Sequence, residues 1–126
     1  MEVIVYQKRY HLGNSIESFL DRFFQKDMTY LASDLLSEGM APEDIKSAVR
    51  KAIISTEKAG LISKKHFLPV ISVKSGTSFL DCRLSSLGRF LVLLNVEPKS
   101  EYIATFQVKV AQQILNTNKY DHKTNR

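Results

Sequence analysis

The chain has little of the material from which most reaction centres are made. One cysteine, Cys82, stands among 126 residues, so no disulfide can form within the chain and a reducing, cytoplasmic setting is expected. His11, His66 and His122 have no cysteine or carboxylate at metal-ligand spacing, which leaves no metal site to expect. The five glycines are isolated, so no glycine-rich loop is available to cradle a phosphate. Ser85 and Ser86 lack the flanking glycines of a nucleophile elbow and read as helix caps. Arg83 beside Cys82 would lower a thiol pKa, yet a cysteine in a strand is ordinarily a small core residue. No apolar run approaches the roughly 20 residues that cross a bilayer, and Met1-Glu2 opens without the basic region of a signal peptide. These absences argue against an enzyme, a cofactor and a membrane.

What the chain does have is one long apolar run. Phe90-Leu91-Val92-Leu93-Leu94 lies within residues 84–96, LSSLGRFLVLLNV. Ser85 or Ser86 is suited to cap the start of a helix there. Asn95 tolerates a left-handed end, and Pro98 follows because it cannot continue a helix. Apolar residues all round the cylinder predict a helix enclosed by other elements. Gly88 inside it costs about 1 kcal/mol against alanine, a cost that close approach of another backbone would offset.

The other elements read in order around that helix. Val3-Ile4-Val5-Tyr6 is a short strand. After the turn at residues 11–14, Asn14 or Ser15 caps a helix to about Gln25, with Ile16, Phe19, Leu20, Phe23 and Phe24 as its buried stripe. A short helix over residues 30–37 ends at Gly39. Pro42, Glu43 and Asp44 open a longer one that stops at Gly60. Residues 67–73 and 77–83 form a hairpin about Lys74-Ser75-Gly76. A last helix starts at Pro98 and buries Tyr102, Ile103, Phe106, Val110, Ala111 and Ile114. The pattern predicts an α+β fold: a mainly helical single domain over residues 1–115, with a short N-terminal strand and a small β-hairpin packed around the central apolar helix. Residues 116–126 read as a flexible polar tail.

Positive charge is concentrated in the middle. Between Asp44 and Arg89 stand nine basic residues against three acidic ones, and the remainder is nearly balanced. A confined excess of this kind suits a polyanionic partner. On the helix that Pro42 opens, Ile45, Ala48, Val49, Ala52 and Ile53 gather on one side, while Lys46, Ser47, Arg50, Lys51 and Lys58 gather on the other. Two helices meeting across Gly39-Met40-Ala41-Pro42 have the outline of a helix-turn-helix, whose second helix enters the major groove. Lys46, Arg50 and Lys51, with Ser47 as a lesser candidate, are then placed at the groove and Lys64, Lys65, Lys74 and Arg83 on the phosphates, with Lys58 and Arg89 as further nucleic-acid-binding residues. Ile54 interrupts the basic arc, either as a contact to a partner, as a side chain under a loop, or as a sign that the register is wrong.

Several segments carry a family likeness. His66-Phe67, a polar hairpin, Asp81-Cys82-Arg83-Leu84-Ser85, the apolar helix, Asn95-Val96-Glu97-Pro98-Lys99 and Ile103-Ala104…Gln107…Gln112-Gln113 resemble the DNA-damage-inducible protein D family. The earlier Tyr30-Leu31-Ala32-Ser33-Asp34-Leu35-Leu36 is similar to the start of the BRO N-terminal domain of viruses, phages and mobile elements. The likeness spans roughly residues 29–115. The leucine-glycine-tyrosine usual at the first helix end is replaced by Leu36-Ser37-Glu38-Gly39-Met40. The resemblance implies a helical module with a small hairpin that binds DNA in phage antirepressors or damage-response proteins.

The expectation is therefore a small non-catalytic DNA-binding regulator that acts on double-stranded DNA without a cofactor. Paired half-sites would suit a homodimer, although no coiled-coil seam is visible. An alternative is a protein-interaction module that inhibits a host DNA-binding or DNA-repair protein, with Ile54 as its contact. An RNA-associated protein is a third reading.

Overall fold

The computed structural model describes residues 2–5 and 26–124. Among them four strands form one antiparallel sheet in the order β1-β3-β4-β2. β1 is Glu2–Val5, β2 Tyr30–Leu31, β3 Phe67–Lys74 and β4 Thr77–Leu84. The helices are α1, Pro42–Lys58; α2, Ser86–Asn95; and α3, Glu101–Thr124. Two 3-10 helices cover Ala32–Glu38 and Ser63–Lys65. This is the α+β, mainly helical architecture that the sequence implies. The helix expected to end near Gln25, with its stripe of Ile16, Phe19, Leu20, Phe23 and Phe24, lies outside the described residues.

The hairpin closes as its turn residues require. Ser75 and Gly76 both take positive φ, 52° and 78°, which is the two-residue turn whose twist matches that of the flanking strands. β3 and β4 then pair from Lys74↔Thr77 to Phe67↔Leu84. β2 lies beside Arg83 and Leu84 alone, so residues 77–82 have no strand on that side among the described residues. Alternation along β3 sends Phe67 to one face and Leu68 and Val70 to the other. Phe67 and Leu84 meet Ile45, Ala48 and Ala52 of α1 and Val92 and Leu93 of α2. On the opposite face Met28 covers Leu68 and Val70. Each of the larger of these side chains contributes roughly 1.5–3 kcal/mol by leaving water.

Gly88 is where α2 touches the start of the sheet. A Cβ built there would lie 2.5 Å from the carbonyl oxygen of His66 and 3.4 Å from the Phe67 ring. That backbone approach explains a glycine in mid-helix. Gly88→Ala, which would favour an isolated helix by about 1 kcal/mol, is therefore expected to destabilise the protein by about 2 kcal/mol, read as a lowered melting temperature. An unchanged or raised melting temperature would show that the His66 segment yields freely.

Several expectations are corrected. The stretch over residues 30–37 is not an α-helix: it is β2 followed by a 3-10 helix. The Asp34 carboxylate accepts from the Leu31 N–H at 3.0 Å, and Ser33 is drawn onto Asp81 of β4, so tertiary hydrogen bonds override the helical pattern. α2 is not enclosed: Gly88, Val92 and Leu93 are buried, but Leu87, Phe90 and Leu94 are 41, 45 and 41% exposed. It also ends without a left-handed residue, because Val96 is extended and the Asn95 amide donates to the Leu91 carbonyl at 2.8 Å. Finally, α3 begins at Glu101 rather than Pro98, and it runs to Thr124, within the segment read as a tail. Of its expected stripe, Ile103 is buried and Phe106 and Val110 are half-buried, whereas Tyr102, Ala111 and Ile114 are exposed. The body grips the first half of α3, where the Gln107 amide donates to the Leu93 and Val96 carbonyls at 2.9 and 2.7 Å. Those carbonyls lie at the end of α2, which has no turns of its own left to satisfy them.

Candidate nucleic-acid interface

The site begins with the way α1 is held. Pro42 sits in its first turn, where a missing N–H costs nothing. Ile45, Ala48, Ala52 and Thr56 are buried, with Val49 and Ile53 half-buried beside them. Thr56 returns its hydroxyl to the Ala52 carbonyl at 2.8 Å, which satisfies the polar group inside the core. Anchoring that face fixes the other. Lys46, Ser47, Arg50, Lys51 and Lys58 are all exposed, within an arc of roughly 140° at 100° per residue and over about 18 Å of helix.

Ile54 lies within that arc and is 46% exposed. The register read from the sequence is correct, and no loop among the described residues covers the side chain. Two carboxylates of α1 have partners of their own. Asp44 pairs with Lys99 at 3.0 Å, and that hydrogen bond raises the Lys99 pKa. Glu57 accepts from the Ser63 hydroxyl at 3.3 Å. The latter bond sets the 3-10 helix carrying Lys64 and Lys65, both exposed, beside the last turn of α1. Glu43 is exposed at the opposite end of the helix.

The remaining cations are placed differently. Lys74 is exposed at the tip of the hairpin, roughly 23 Å along β3 from Phe67 at 3.3 Å per residue. Arg83 is half-buried and donates to the Met28 carbonyl at 3.4 Å, with its Nε buried. Arg89 donates to the Tyr102 hydroxyl at 2.7 Å and lies over the Tyr30 ring, 5.1 Å from its centroid. Both guanidinium groups are thus engaged by the fold, and only Arg83's position on a strand hinted at it. Of the partners of Arg89, Tyr102 was read from the sequence as part of a buried stripe, whereas Tyr30 carries no periodic signal that would have picked it out.

Ser85, His66 and Cys82 are each engaged within the fold. Ser85 caps α2 by accepting from the Gly88 N–H at 3.0 Å, and it lies 2.7 Å from Nδ1 of His66. A serine so close to an imidazole has the outline of an activated nucleophile, but this hydroxyl is 7% exposed and already holds the cap. Burial, then the charge of Lys65, lowers the His66 pKa from 6.5. Cys82 is no activated thiol: burial pushes its pKa up to about 12, and the expected influence of Arg83 is not felt.

Asp81 is the most heavily engaged carboxylate among the described residues. It is 8% exposed and accepts from the Ser33 N–H at 3.1 Å, the Ser33 and Ser72 hydroxyls at 2.5 and 2.7 Å, and the Cys82 N–H at 2.8 Å. It thereby ties the sheet to the 3-10 helix that leads into α1. No group of three or more potential metal ligands occurs among the described residues, and none of their helices is long and apolar enough to cross a membrane. No family model, curated protein or solved structure matches the chain.

Proposed function

We propose that this protein is a small non-catalytic regulator that binds double-stranded DNA with the outer face of α1, in the manner of a BRO-N-like module. The observation that carries the reading is the exposure of Lys46, Arg50, Lys51 and Lys58 on one face of a helix whose opposite face is buried. A helix of this diameter fits the major groove, where arginine and lysine pair with guanine edges. Arg50 and Lys51 have that role, with Lys46 and Ser47 beside them. Lys58, Lys64 and Lys65 are assigned to the phosphates. Arg83 and Arg89 leave the set because they serve the fold, and Lys74 stands apart at the hairpin tip.

The test is a salt series. Each neutralised phosphate contributes a slope of about −0.9 in log affinity against log salt. With three phosphate contacts, a slope of about −3 is expected for a labelled duplex measured by fluorescence anisotropy. Absence of a salt-sensitive shift would remove the proposal.

A second reading has its own observation. Ile54, Leu61 and Ile62 are 46, 47 and 54% exposed, and apolar contacts ringed by charge suit a protein partner. On that reading the chain inhibits a host DNA-binding or repair protein. A stoichiometric partner that survives nuclease treatment of the lysate, and is lost with Ile54→Asp, would favour it over DNA.

A further inference from the structure

We infer that two copies of this chain pair through the outer ridge of α2 and α3, about a twofold axis passing beside Thr105. Leu87, Phe90 and Leu94 recur three and four positions apart, so the exposed parts of these side chains form one stripe along α2. Phe90 meets Phe106 edge to face, with ring centroids 5.1 Å apart, and this contact carries the stripe across to α3. There Tyr102 is 39% exposed, and with Phe106 it lines an open groove of about 420 Å³. A continuous apolar ridge on the order of a few hundred Å² differs from scattered surface hydrophobics and marks an interaction surface.

Charge identifies the occupant. Glu101 and Lys109 line the same groove, with Thr105 midway between them. They lie about two turns and 12 Å apart along the helix, and both are exposed. A twofold rotation at Thr105 lays a second α3 antiparallel to the first and exchanges its ends. Glu101 of each copy then faces Lys109 of the other. Two equivalent ion pairs flank an apolar centre supplied by Phe90, Tyr102 and Phe106, which is the layout of an isologous interface. Any other partner would have to reproduce this spacing of opposite charges, whereas a second copy carries it by symmetry.

Sedimentation equilibrium of the full chain tests the pairing. A concentration-dependent monomer–dimer equilibrium is expected, weakened roughly tenfold by Glu101→Lys or by Lys109→Glu, because each sets like charges against each other. The double variant, E101K with K109E, should dimerise as the parent does. An equimolar mixture of the two single variants should associate more tightly than either alone, since one copy then presents two lysines and the other two glutamates. A chain that stays monomeric at every concentration, or a dimer indifferent to the charge swap, overturns the proposal.

Discussion

Changing Arg50 and Lys51 together to glutamate is expected to abolish the shift of a bare duplex while moving the melting temperature by no more than about 2 °C. Both side chains are exposed and neither forms a contact on which the core depends. The substitution removes two cations and adds two anions on the face proposed to enter the major groove. Losing the two base contacts should cost about 1–3 kcal/mol each, and like-charge repulsion should bring the loss of affinity to a hundredfold or more. Lys74→Glu makes the same kind of charge change at the far end of the hairpin, and this variant should bind as the parent does. Equal losses from both changes would mean that net charge, not the α1 face, governs binding.

Asp81→Ala should have the largest effect on stability. Removing the carboxylate leaves the Ser33 N–H, the Ser33 hydroxyl and the Ser72 hydroxyl without their acceptor, and Ser72 is fully buried. Unsatisfied buried groups cost about 1–3 kcal/mol each, so a total loss of roughly 3–5 kcal/mol is expected against a typical stability of about 5–15. Thermal denaturation should register this as a fall of roughly 15 °C. Asp81→Asn keeps one acceptor oxygen and should lie between the two. A cost below about 1 kcal/mol for the alanine variant would mean that the serines find other partners.

Local chemistry made much of this fold readable in advance. Pro42 and Gly60 bound α1 because a fixed φ and a left-handed stop act within a single turn. The tight turn at Ser75-Gly76 likewise depends on neighbouring residues alone. Even the Gly88 contact was foreshadowed, since a glycine in an apolar helix calls for a close neighbour. What could not be read depends on residues far apart in the chain. Ser33 meets Asp81 across forty-eight positions, and that union replaces an α-helix with a short strand and a 3-10 helix. Apolar periodicity likewise shows which residues of α2 avoid water, but not whether enough neighbours exist to cover Leu87, Phe90 and Leu94. The candidate face on α1 was legible because helical spacing fixes it. The contacts of Arg83 and Arg89 could not be foreseen because a guanidinium held by a carbonyl or an aromatic ring looks, in sequence, like any other cation.

The brevity of β2 has a consequence for handling the protein. From Thr77 to Leu80 the outer rim of β4 carries no proline or lysine, and Leu80 is 74% exposed, so the usual deterrents to intermolecular strand addition are missing there. Heat or high concentration would turn that rim into a template for fibrils, and the first loss of material on storage should begin at this seam.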